Sequence, residues 1–116
     1  MEKIELERPE GKKGLMILRK HYNLLCIFIL SMLELKGEIT LTELLDTANQ
    51  KLDSEFTGDA LWMILNVKRD LEAKGLIRLK YAGKCTQVIS VRKNQSRRIS
   101  MFLREVREPE KLLAIL

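Results

Sequence analysis

Residues 57–93 read TGDALWMILNVKRDLEAKGLIRLKYAGKCTQVISVRK, and this stretch decides the fold. Thr57 suits an N-cap, and Phe56 and Leu61 occupy the two positions of a hydrophobic staple across it. At about 100° per residue, Ala60, Ile64, Val67 and Leu71 fall close to one line, so the spacing predicts a helix over 58–74 with a single buried stripe. Gly75 follows the last charged turn as a left-handed stop. Leu76 to Tyr81 then alternates apolar and polar, turns at Ala82-Gly83, and returns from Gln87 to Arg92 as the second strand of a hairpin. Ile77, Leu79 and Tyr81 share one face and are expected to pack inward. Arg78 and Lys80 then point outward, with Lys84 near the turn.

Before this stretch, residues 1–14 are charged, carry Pro9 and two glycines, and are read as a flexible N-terminal arm. Leu15 to Lys36 reads as the longest helix. Leu18, Tyr22, Leu25, Ile29, Met32 and Leu33 mark one face, while Leu24, Ile27, Phe28 and Leu35 cover most of the rest. A helix apolar nearly all round must be covered on more than one side, by a C-terminal helix or by another subunit. Gly37 ends it, and Glu38-Ile39 reads as a brief strand. Thr40-Leu41-Thr42-Glu43 has the form of a capping box opening a second helix that runs to about Gln50, with 51–56 as a link.

After the hairpin, the polar run from Lys93 to Ser96 breaks the strand. Ile99, Phe102, Leu103 and Val106 then form the stripe of a fourth helix capped by Ser96. Pro109 opens a further short helical turn, and Lys111 to Leu116 ends the chain with little polarity, expected to pack on the first helix of its own or a partner subunit. The domain reading is therefore an arm over 1–14, a core domain over 15–93, and a C-terminal helical segment over 94–116 that serves dimerisation.

Net charge is +5, but its distribution says more. Residues 76–107 hold nine Lys or Arg against the single acid Glu105, whereas the rest of the chain is net acidic. A basic third on an otherwise acidic chain suits a polyanion partner. The chain opens with dense charge and no apolar run, and its longest apolar run is too short to span a bilayer, so a cytoplasmic protein is expected. Cys26 and Cys85 have no C-x-x-C spacing, and reduced thiols are favoured over a disulfide between them. His21 is the one histidine, Ser and acidic residues are too scattered for a triad, and Gly11-Lys12-Lys13-Gly14 lacks the spacing of a phosphate loop. The expectation is no enzyme, no metal, no cofactor and no evident small-molecule ligand.

The string Leu71-Glu72-Ala73-Lys74-Gly75-Leu76-Ile77 leading into a basic hairpin resembles the join of recognition helix and wing in the winged helix-turn-helix superfamily. That resemblance implies an α+β fold of three core helices and a two-stranded wing, followed here by a C-terminal helix. It also implies double-stranded DNA as partner, bound by a homodimeric transcriptional regulator paired through its first and C-terminal helices. In that family the third helix enters the major groove and the wing clasps phosphates. On the outward side of the helix, Asn66 could pair with adenine and Arg69 with guanine, while Lys68, nearer the core boundary, reaches phosphate by its stem. Arg78, Lys80, Lys84, Arg92 and Lys93 supply the remaining cationic contacts. Trp62 and Leu65 share that outward side, where a DNA reader more often shows polar residues. They raise the alternative of a protein-interaction module using an exposed apolar patch.

Overall fold

The computed structural model describes residues 2–8, 13–56, 59–83, 86–92 and 95–106. Its elements in chain order are β1 (Lys3–Glu7), β2 (Lys13–Leu18), α1 (Arg19–Lys36), β3 (Glu38–Thr40), α2 (Leu41–Phe56), α3 (Ala60–Ala73), β4 (Ile77–Ala82), β5 (Thr86–Val91) and α4 (Ser96–Val106). The architecture is α+β, with four helices and two small antiparallel sheets among the described residues. One sheet is the β1–β2 hairpin, and the other has the order β3-β5-β4. No helix among the described residues is long and apolar enough to cross a membrane.

The core is where α1, α2 and α3 meet the three-stranded sheet. Tyr22, Leu25, Ile29 and Leu33 of α1 are buried against Leu44 of α2, Ile64, Val67 and Leu71 of α3, and Ile39 and Ile89 of the sheet. Each such side chain contributes roughly 1.5–3 kcal/mol by leaving water. The inward stripe of α3 is the one its spacing predicts. α3 stops in a Schellman motif: Gly75 N–H donates to Glu72 O and Leu76 N–H to Leu71 O, with Gly75 at φ 77°. At the start of α2, Thr40 Oγ1 accepts the Glu43 N–H at 3.1 Å. The reciprocal half of the capping box is not used, because the Glu43 carboxylate takes Lys36 Nζ instead.

Several expectations change. The N-terminal segment is not an unfixed arm: Lys3-Ile4-Glu5-Leu6-Glu7 alternates strictly, and Ile4 pairs with Ile17 while Leu6 is buried. Leu15 to Leu18, read as the first helical turn, belong to β2, since a partner strand is available to them. The expected link over 51–56 is the end of α2. β3 joins the hairpin, so the main sheet has three strands where two were expected. Thr57, Cys85, Lys84, Lys93 and the C-terminal run from Pro109 to Leu116 lie outside the described residues. Cys26 is a buried free thiol, and burial holds its pKa above the ordinary range.

A buried polar cluster ties the N-terminal hairpin to α3. Asp70 is wholly buried on α3 and accepts from the Tyr22 hydroxyl of α1 at 2.5 Å, from the Glu7 N–H of β1 at 2.8 Å and from Lys74 Nζ at 2.6 Å. Lys74 also pairs with Glu7 at 2.5 Å and stands over the Tyr22 ring. α4 closes the other side of the cluster, with the Phe102 ring edge-on to Tyr22. The inward stripe of α4 therefore packs on α1 of the same chain, through Ile99, Phe102 and Leu103. These ties set the rotation of α3, and hence which of its residues meet solvent.

Candidate functional site

With Ile64, Val67 and Leu71 turned inward, the opposite side of α3 carries Trp62, Leu65, Asn66 and Arg69. Trp62 is 51% exposed, Arg69 is exposed, and Leu65 and Asn66 are half-buried. The Asn66 amide donates to the Trp62 carbonyl one turn earlier at 2.8 Å, so its side chain is engaged with its own helix. Lys68 lies further inside than its helical position suggests, at 6% exposed. Its ammonium stands 3.9 Å from Glu72, beyond hydrogen-bond length, and burial lowers its pKa against the pull of Glu72.

Strand register divides the remaining cations. Leu79 is opposite Ile89 and Tyr81 opposite Gln87, so these four share the sheet face turned to α3. Inward packing fades toward the turn, from buried Ile77 through half-buried Leu79 to Tyr81 at 61% exposure, and the expectation that Tyr81 packs inward fails there. The reason is reach: the hairpin extends past the end of the core. Arg78 and Lys80 sit on the opposite sheet face, both exposed, and Lys80 pairs with Glu38 of β3 at 3.0 Å. Such a surface pair is weak and readily exchanged for another anion. Arg92 belongs to neither group. Its N–H bonds Leu76 O, and its guanidinium flanks Gly75 beside that of Arg98, which donates to the Lys74 carbonyl at 2.8 Å. Positive charge at that carbonyl end complements the dipole of α3.

The sequence-derived set is thus not one surface. Lys68 and Arg69 converge with Leu65 in a cleft between α3 and the sheet, where Leu41, Glu72, Leu79, Tyr81 and Gln87 also line the wall. Arg8, from just beyond β1, joins them, and reading the arm as unfixed is what hid it. Strict alternation over Lys3–Glu7 was the signal that could have placed it. Arg78 and Lys80 form a separate outer patch. Among the described residues no three His, Cys, Asp or Glu side chains come together as metal ligands.

A protein-family model described as a family of unknown function (DUF6958) matches residues 3–86, and the chain belongs to that family. The match takes in both N-terminal strands, α1 to α3 and β4, and so every lining residue of the cleft named above except Gln87. No curated protein and no solved structure matches the chain.

Proposed function

We propose that this member of the family is a winged helix-turn-helix protein that binds double-stranded DNA as a homodimeric transcriptional regulator. The observation that supports the reading best is topological. The order α1-β3-α2-α3-β4-β5, with sheet order β3-β5-β4, is compatible with three core helices and a wing, and leaves the outward row of α3 beside a basic hairpin. At 14 residues α3 is roughly 21 Å long and slim enough for a major groove about 12 Å wide. In this reading Arg69 pairs with guanine, and Asn66 pairs with adenine after releasing the Trp62 carbonyl. Arg78 and Lys80, with Lys84 and Lys93, neutralise phosphates. Lys68 stays in its cleft and reads no base.

Fluorescence anisotropy with random-sequence duplex DNA across a salt series tests this. With at least three phosphate contacts, log affinity should fall against log salt with a slope of about −2.7 or steeper. Raising salt from about 50 to 200 mM then weakens binding roughly 40-fold. Arg78→Glu with Lys80→Glu should flatten the line by about 1.8. Absence of binding at low salt would rule the DNA reading out. One observation favours a second reading, in which the module binds protein: Trp62 and Leu61, at 51% and 37% exposure, are adjacent on the first turn of α3. Under it Trp62→Ala abolishes an interaction that the double reversal leaves intact.

The homodimer rests on α1. Leu24, Ile27, Phe28 and Leu35 line an open groove of about 580 Å³ against α2, and Leu35 is 85% exposed. α4 covers the opposite, N-terminal part of α1, through Tyr22. A second copy seated on this apolar strip completes the burial. Sedimentation equilibrium should report a dimer at micromolar concentration that Phe28→Glu converts to monomer. A monomeric parent chain would remove dimerisation from the reading.

A further inference from the structure

The outward row of α3 is apolar where it begins and polar where it ends. Trp62, Leu65, Asn66 and Arg69 recur at i, i+3, i+4 and i+7, so they lie along one side of the helix. Trp62 and its neighbour Leu61 are exposed, and Leu65, one turn on, is half-buried. Within α3 the charges cancel, Lys68 and Arg69 against Asp70 and Glu72. Attraction for phosphate therefore belongs to the hairpin, where Arg78 and Lys80 are exposed. What α3 adds is contact with base edges. The Asn66 amide is held by the Trp62 carbonyl at 2.8 Å, so the side chains that the helix presents first are apolar.

Base edges differ in what they offer such a pair. In the major groove guanine, cytosine and adenine present hydrogen-bonding groups, whereas thymine also presents its C5-methyl. Covering guanine O6 and N7, or the cytosine amino group, with side-chain carbon leaves those groups dry and unpaired, which is unfavourable. Covering a thymine methyl takes two apolar surfaces out of water. Position on the helix agrees. In helix-turn-helix proteins the N-terminal residues of the recognition helix meet base edges, and Trp62 is in the first turn of α3. The rise from Trp62 to Leu65 is about 4.5 Å, roughly one base-pair step of about 3.4 Å, and from Trp62 to Arg69 about 10.5 Å, roughly three steps. We propose that Trp62 and Leu65 read the C5-methyl groups of two neighbouring thymines, ahead of the base pairs met by Asn66 and Arg69. The preferred site then carries T·A pairs at the N-terminal end of α3 and a G·C pair at its C-terminal end. This rests on the DNA reading and gives it a sequence class.

The test uses the intact chain. Selection from a random duplex pool should enrich adjacent T·A pairs within about three base pairs of a G·C pair. In the selected duplex, deoxyuridine in place of those thymines removes only the methyls. It should weaken binding about fourfold for one and roughly 15-fold for both. Trp62→Ala, at an exposed position, should bring the first of these factors close to one and leave the salt slope unchanged, because no phosphate contact is lost. Trp62 is the one tryptophan of the chain, so its emission should shift on binding the thymine duplex. Where duplex DNA binds with a steep salt slope, three results would overturn the proposal and leave the DNA reading standing. They are a selected site without T·A pairs, equal affinity for the thymine and uracil duplexes, or a thymine preference that persists undiminished in Trp62→Ala. Where no duplex binds at low salt, both readings fall, and Trp62 and Leu61 are left as a protein contact.

Discussion

Asp70→Ala is expected to lower the unfolding free energy by about 3–5 kcal/mol, the range for removing one partner of a buried charge cluster. The side chain is wholly buried, and its loss strips three donors at once: the Tyr22 hydroxyl, the Glu7 amide and Lys74 Nζ. Tyr22→Phe is the milder control. It removes one hydrogen bond to a charged acceptor and should lower stability by about 1.5–3 kcal/mol.

The same cluster sets a pH dependence. Burial pushes the Tyr22 phenol far above its ordinary value of 10.0, with Cys26 and Asp70 adding to the shift. Burial works against the Lys74 charge, but its bonds to Asp70 and Glu7 outweigh that and raise its pKa. Both groups hold protons more tightly folded than unfolded. Their contribution is therefore complete below pH 10.0 and is lost as pH climbs above it. Urea unfolding at neutral pH and above pH 10 should show a falling stability in the parent chain and a shallower fall in Tyr22→Phe. An Asp70→Ala chain within about 1 kcal/mol of the parent would refute the cluster as a structural tie.

Gly14→Ala should detach the N-terminal hairpin. A Cβ at Gly14 would overlap the Leu6 carbonyl oxygen and lie 2.7 Å from its carbon. These are backbone atoms, so no rotamer change relieves the overlap, and β1 must move off β2. Leu6 and Ile17 then lose their burial, and the Glu7 amide loses Asp70. With roughly 1.5–3 kcal/mol for each buried aliphatic side chain, the loss should be about 3 kcal/mol or more. Hydrogen exchange separates this from general unfolding: amides of Ile4, Glu5 and Ile17 should lose protection while those of Leu25, Ile64 and Ile89 keep more of theirs. Protected β1 amides in the variant would mean that the strand finds another register, and the close approach would not be the determinant.

Both variants concern the segment that was hardest to read. Its alternation is only five residues long, and it counts as a strand only once β2 pairs with it. Leu15 to Leu18 show the same ambiguity, since a short apolar run fits a helix or a strand until a partner decides. The site was legible in the same uneven way. The outward row of α3 follows from its core stripe, and Trp62 and Arg69 meet solvent as spacing predicts. Lys68 and Asp70 resemble ordinary surface charges of a helix in the sequence, yet both are buried. Their burial depends on what β1 and the sheet bring to that side of α3.

The amino-acid sequence by itself determined the features whose physics is local. These are the core stripe of α3, the glycine stop at Gly75, the alternation of the hairpin, the Thr40 cap and the amphipathic face of α4. Each follows from helix period, strand period or the conformational freedom of glycine, and each is written in neighbouring residues. Only the tertiary structure decided that β1 is a strand, that Asp70 and Tyr22 meet across 48 positions, and that Arg8 joins Lys68 and Arg69 in one cleft. Pairing of strands and burial of charge depend on partners distant along the chain, and local periodicity carries no information about which partner arrives.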